Sequence, residues 1–198
     1  MTNFKASKLR LFFALNIPQN LKGELASWQE KYRNVPMRWT KPNGLHLTVL
    51  FIGWIKEEQL KDIIEGAKAV AASFPSFPIR FTGTDYGPPD GPKRMVWLYG
   101  MPSLDLSKLK RALELEMTRR NISFTQELRE FIPHITLGRI QEDTWRKKIG
   151  KETPRLTQAL DHTIHFGSLD LMKSTPKKSG SVYEFLEAFP FTGEASIA

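Results

Sequence analysis

Two of the chain's four histidines head the same short pattern, Leu45-His46-Leu47-Thr48-Val49 and Pro133-His134-Ile135-Thr136-Leu137. Both segments are apolar and β-prone, and along a strand residues two apart project to one face. His46 therefore shares a face with Thr48, and His134 with Thr136, while Leu47, Val49, Ile135 and Leu137 turn to the other. An unperturbed imidazole titrates near ~6.5, so of two histidines one can be neutral and one protonated at working pH. One then serves as base and the other as acid. Threonine hydroxyls can donate hydrogen bonds to the non-bridging oxygens of a phosphate, where negative charge is held during displacement. Either motif alone reads as an ordinary amphipathic strand; the pair points to phosphate ester chemistry.

The other candidates are weaker. His162 and His165, with Asp161 beside them, invite a metal reading. Their spacing on a strand puts the two rings on opposite faces, and no further carboxylate cluster completes a site. Cysteine is absent, which excludes disulfides, thiolate metal sites and a cysteine nucleophile and fits a reducing compartment. Neither a metal nor a cofactor is expected. Phe12, Trp39 and Phe131 lie near the motifs and could stack on a base, with core packing as the competing role. Lys93 and Arg94 could meet an RNA backbone or simply be solvated.

The motifs must be held by a fold, and the apolar pattern outlines it. Alternation over residues 9–17 predicts a first strand, followed after Pro18 by a helix with Leu21, Leu25, Trp28 and Tyr32 on its inner stripe, ending before Pro36. The turn signal Pro42-Asn43-Gly44 introduces a strand over 45–52 that stops at Gly53. A second helix carries Leu60, Ile63, Ile64, Ala67 and Ala71 inward; a short strand over 77–82 and a proline- and glycine-rich loop over 86–92 come next. Residues 95–99 read as a strand, and Leu106, Leu109, Leu113 and Met117 mark a third helix ending near Asn121. Beyond it lie a strand over 133–140, a short polar helix over 142–149, and late strands over 163–172 and 182–189. Strands adjoin too often for a doubly wound parallel sheet, so the class is α+β with largely antiparallel sheets. The two halves share a rhythm of strands, helix and His-x-Thr strand, which suggests two lobes contributing one motif each.

At 198 residues and 40% hydrophobic, the chain can bury a sizeable core, and disorder is not expected. Arg10 interrupts the apolar stretch near the N-terminus and no small-residue cleavage pattern follows, so neither a signal peptide nor a membrane span is expected, and the cytoplasm is the expected location. The net charge of +8, with basic pairs such as Arg119-Arg120 and Lys147-Lys148, is compatible with a polyanionic partner.

The paired segments resemble the His-x-Thr-x motifs of the two-histidine (2H) phosphoesterase superfamily. Within it the chain is similar to the LigT-like RNA 2',3'-cyclic phosphodiesterases, historically called 2'-5' RNA ligases. The resemblance runs over nearly the whole chain and rests on Arg10-Leu11-Phe12-Phe13-Ala14-Leu15, on Arg38-Trp39 leading into Asn43-Gly44-Leu45-His46-Leu47-Thr48, and on Phe131-Ile132-Pro133-His134-Ile135-Thr136-Leu137-Gly138-Arg139. It implies one bilobal domain over 1–198, with antiparallel sheets, outer helices and a central cleft. It implies hydrolysis of RNA 2',3'-cyclic phosphate ends to 2'-phosphomonoesters by a monomer without cofactor. His46 would protonate the departing 3'-oxygen, His134 would take the proton of water, Thr48 and Thr136 would hold the phosphate, and Arg139 would lie near the nucleotide. Strict alternation places Arg139 opposite His134, although Gly138 permits a bend that would bring it round. Formation or cleavage of 2'-5' linkages, or RNA binding without catalysis, are the alternatives.

Overall fold

The computed structural model describes residues 8–127, 131–149, 153–178 and 180–194. Of the opening segment read for a leader, residues 1–7 lie outside them. Among the described residues nine strands and four α-helices follow in the order β1 (Lys8–Asn16), α1 (Gln19–Lys31), β2 (Met37–Trp39), β3 (His46–Lys56), α2 (Leu60–Ala72), β4 (Phe77–Gly87), β5 (Met95–Gly100), α3 (Leu104–Arg119), β6 (His134–Ile140), α4 (Glu142–Lys148), β7 (Gln158–Phe166), β8 (Ser168–Thr175) and β9 (Val182–Pro190). The class is α+β, and every strand pairing is antiparallel.

The strands form a curled sheet in the order β7-β4-β5-β6-β3-β1-β8-β9, with β2 added alongside β6. Each His-x-Thr strand is the inner member of a four-stranded half, and the halves meet where β3 pairs with β6 through Leu47 and Ile135. Those two side chains are fully buried, and each contributes about 2 kcal/mol by leaving water. The hydrophobic side of the junction thus anchors the strands, leaving the polar residues on either side of Leu47 and Ile135 for the opposite face. Helices α1, α2 and α3 cover the hydrophobic side through Leu21, Leu25 and Trp28, through Ile63, Ala67 and Val70, and through Leu106, Leu109, Leu113 and Met117. Ser103 caps α3 by accepting a hydrogen bond from the Leu106 amide, and Asn121 leaves the helix in a left-handed conformation. Among the described residues no helix is long and apolar enough to cross a membrane.

Three sequence boundaries are corrected. Strand β3 does not stop at Gly53 but runs through it to Lys56, because glycine at φ +94° sits at a bulge: Leu11 faces Gly53 while Phe12 faces Phe51. Strand β4 continues through Tyr86 and Gly87, which the prolines nearby had suggested were loop. The single strand over 163–172 is two strands joined by Gly167, and β7 serves one half of the sheet while β8 serves the other. Only Gly167 separates them, so no loop-length segment marks the break. Short β2 was not anticipated; it places Arg38 opposite Arg139.

Candidate active site

Antiparallel pairing about Leu47 and Ile135 sets His46 across from Thr136, and Thr48 across from His134. The two motifs are thereby arranged diagonally about the junction. Between them lies a small cavity of about 60 Å³ lined by His46, Thr48, His134, Thr136 and Arg139, with Tyr183 at its edge. All four motif residues named from the sequence line this one space.

Each histidine is fixed the same way. His46 Nδ1 lies 2.8 Å from the Gly44 carbonyl, and His134 Nδ1 lies 2.7 Å from the Ile132 carbonyl. A carbonyl can only accept, so in both rings Nδ1–H donates and Nε2 is the nitrogen left for proton transfer. The ring faces are also held. His134 stacks on Trp97 with centroids 3.7 Å apart and planes 17° apart, while His46 packs against Phe12 at 4.9 Å and edge-on to Tyr183 at 5.0 Å. These contacts leave little rotational freedom, so the rings are oriented before substrate arrives.

Arg139 does face the cleft, and the reason is a bulge. Opposite β5, Val96 pairs with Gly138 but Trp97 pairs with Thr136, so Leu137 is an extra residue. Leu137 and Gly138 are consecutively buried, alternation is reset, and Arg139 returns to the His134 face. A Cβ on Gly138 would lie 2.7 Å from the Trp39 ring, so glycine is needed for close packing there. The first motif repeats the device. Phe13 pairs with Leu50 and Ala14 with Thr48, so Val49 is the extra residue and Phe51 returns to the cleft. Phe51 was missed from the sequence; its signal is the shared five-residue spacing from His46 to Phe51 and from His134 to Arg139. Buried Gln29 was missed too. Its Nε2 donates to the Thr40 carbonyl at 3.0 Å and to the bulged Leu137 carbonyl at 2.9 Å, tying α1 to the strand that carries His134.

Two larger cavities flank the central one. A cavity of about 450 Å³ on the His134 side is lined by Trp97, Met95, Phe51, Phe131 and Lys110, among others. A second of about 440 Å³ opens on the His46 side, and Phe12 lines it. Trp39 instead packs edge-on against Trp28 at 5.8 Å, in a core role. Lys93 lies over the Tyr86 ring, and neither it nor Arg94 lines these cavities. His162 Nε2 meets Glu24 of α1 at 3.1 Å, whereas His165 is exposed. Among the described residues no group of three or more histidines and carboxylates is placed to hold a metal ion.

Burial makes the cationic form of both motif histidines costly. It pulls His46 down to about 4, with the Gly44 bond opposing and the charges of Lys22 and His134 assisting. His134 is lowered by burial against the opposing Ile132 bond, with Arg139 assisting. Both rings are therefore neutral in the empty cleft at neutral pH. Because the unfolded chain takes up the His46 proton near 6.5, stability is intact above that pH and falls as the pH drops from there toward about 4. The loss from this residue reaches up to about 3 kcal/mol. A His46→Gln variant should therefore lose about 2 kcal/mol less than wild type between about pH 7 and about pH 4.5, read by urea unfolding. Equal losses would show that His46 is not held neutral by the fold.

With this geometry in place, a family model described as LigT like Phosphoesterase matches residues 15–97. An RNA 2',3'-cyclic phosphodiesterase of Thermus thermophilus is 31% identical over 193 residues, covering 94% of this chain and 92% of that protein. One of Methanocaldococcus jannaschii is 27% identical over 179 residues, covering 90% and 99%. The crystal structure of TT0787 of Thermus thermophilus superposes with a TM-score of 0.80 at 27% identity, covering 94% of this chain and 100% of that one.

Proposed function

Because this chain belongs to the LigT-like 2H phosphoesterase family, we propose that it is an RNA 2',3'-cyclic phosphodiesterase in which His46 and His134 form the acid/base pair. The observation that carries the residue assignment is the convergence of both His-x-Thr motifs on one small cavity, with each ring tethered through Nδ1. The cyclic phosphate sits there, its non-bridging oxygens accepting hydrogen bonds from Thr48 and Thr136. His134, kept neutral by burial and by the charge of Arg139, takes a proton from the attacking water at Nε2. The new phosphorus–oxygen bond forms as the bond to the 3'-oxygen breaks. His46 gives its Nε2 proton to that oxygen, leaving a 2'-phosphomonoester and a free 3'-hydroxyl. The substrate supplies what the empty site lacks, since its negative charge favours a protonated His46.

Both motifs that line the cavity come from one chain, so we read the protein as a monomer whose two lobes work as one bilobal catalytic unit, and its lack of cysteine suits the cytoplasm. No metal enters this chemistry. Turnover of nucleoside 2',3'-cyclic phosphates in excess EDTA should equal turnover without it, and kcat/KM should be bell-shaped with its maximum on the acid side of 6.5, since burial lowers both free-enzyme histidines. The kcat profile should lie at higher pH, because bound phosphate raises His46. Loss of turnover in chelator, or a kcat/KM maximum above 6.5, would contradict this reading.

A further inference from the structure

We propose that the cavity on the His46 side of the cleft is a subsite for a second phosphate group of the substrate, carried one sugar away from the cyclic phosphate. This rests on the function proposed above and adds to it a preference that the catalytic residues do not require. The cavity, of about 440 Å³, is lined by Arg10, Arg38, Arg139 and Lys177 together with hydroxyl groups that include those of Ser174 and Tyr183. Among the described residues no carboxylate lines it. Arg10, Arg38 and Lys177 make no ion pair among the described residues, whereas Arg33, Lys68, Arg80, Arg119, Arg120 and Lys173 each do elsewhere on the molecule. Four neighbouring cations repel one another, and an anion between them would relieve that repulsion.

The cations are also positioned. Arg10 Nη1 donates to Ser174 Oγ at 2.9 Å, and its guanidinium lies 4.4 Å from the centre of the Phe51 ring. Ordering that side chain in advance lowers the entropy lost on binding. Arg38 is placed by β2 directly opposite Arg139. A Cβ at Gly180 would lie 3.1 Å from Arg38 Cδ, so glycine there, at φ +119°, gives the arginine its room. The basic cavity shares His46, Thr48 and Arg139 with the central one, so the two are continuous. The opposite cavity is different in kind: Trp97, Met95 and Phe131 make it apolar, and Glu127 contributes a carboxylate. A nucleoside base suits that side and a phosphate the basic one. The second phosphate has two possible sources, the internucleotide diester of an RNA chain or a terminal 5'-phosphate on a single nucleotide.

The test compares three substrates: a nucleoside 2',3'-cyclic phosphate with a 5'-hydroxyl, the same compound with a 5'-phosphate, and a dinucleotide ending in the cyclic phosphate with a free 5'-hydroxyl. A second phosphate should raise kcat/KM by about 10- to 100-fold, mostly through KM, the scale of charge-assisted hydrogen bonds. In an Arg10→Gln/Arg38→Gln variant that preference ratio should fall to within about 3-fold of unity. A gain confined to the dinucleotide identifies the RNA diester; a gain shared by the 5'-phosphate compound identifies a terminal phosphate. In wild type, which does not depend on the variant's folding, added salt should raise KM more steeply for the substrates with a second phosphate. A wild-type ratio near one, a ratio unchanged in a folded variant, or equal salt dependence for all three would overturn the subsite. Failure to turn over any of the three would instead overturn the function on which it rests.

Discussion

Replacing either His46 or His134 with alanine is expected to lower kcat by about 10²- to 10⁴-fold, the contribution of one positioned proton-transfer group. The two losses should not add. Both rings act in the same displacement, and once one proton transfer is missing the other no longer limits the rate, so the double variant should be little slower than the worse single one. Structure separates this from unfolding. The rings sit at the cleft on partly buried positions, whereas the strands are anchored by the fully buried Leu47 and Ile135 on the other face. Loss of the ring contacts to Trp97, or to Phe12 and Tyr183, should therefore lower stability modestly while turnover collapses. Single-turnover kinetics with urea unfolding on the same samples makes the comparison. Retained turnover in both single variants would remove acid/base catalysis by this pair.

Thr48→Val and Thr136→Val should each reduce kcat by about 10²-fold, since each keeps the side chain's shape but removes a donor aimed at developing negative charge. The antiparallel junction places each threonine across from the other motif's histidine, so the two effects should be of similar size. The combined variant should lose close to the product of the two, because the hydroxyls hold separate oxygens rather than one shared proton path. That contrast with the histidine pair is the useful part: near-additive threonines and non-additive histidines divide charge stabilisation from proton transfer. If both threonine variants keep more than about a third of wild-type kcat, the hydroxyls do not hold the phosphate.

How much of this was legible in the sequence depends on which interactions decide each feature. The His-x-Thr faces were readable because strand periodicity is local, and the helices were readable from their inner stripes. The face of Arg139 was left open, with Gly138 as the hint of a bend, because the bulge at Leu137 exists only relative to β5, a partner distant in sequence. The same holds for Phe51, brought to the cleft by the bulge at Val49. Gln29 sits in a helix whose pattern marks it as polar surface, yet it is buried, where its Nε2 donates to both the Thr40 and the bulged Leu137 carbonyls. Arg10, Arg38 and Lys177 come from three separate segments, and only the curl of the sheet gathers them into one cavity. Gly167 ends one strand and begins another without a loop, so its role appears only in the strand order.

The most direct test of the central claim is the identity of the product isomer. Purified protein incubated with a nucleoside 2',3'-cyclic phosphate in EDTA, with the phosphomonoester identified by ³¹P NMR or chromatography against standards, should yield the 2'-phosphate alone. That result follows if His46 protonates the 3'-oxygen as water attacks from the His134 side. A 3'-phosphate product would contradict it, because the oxygen that departs would then be the other one.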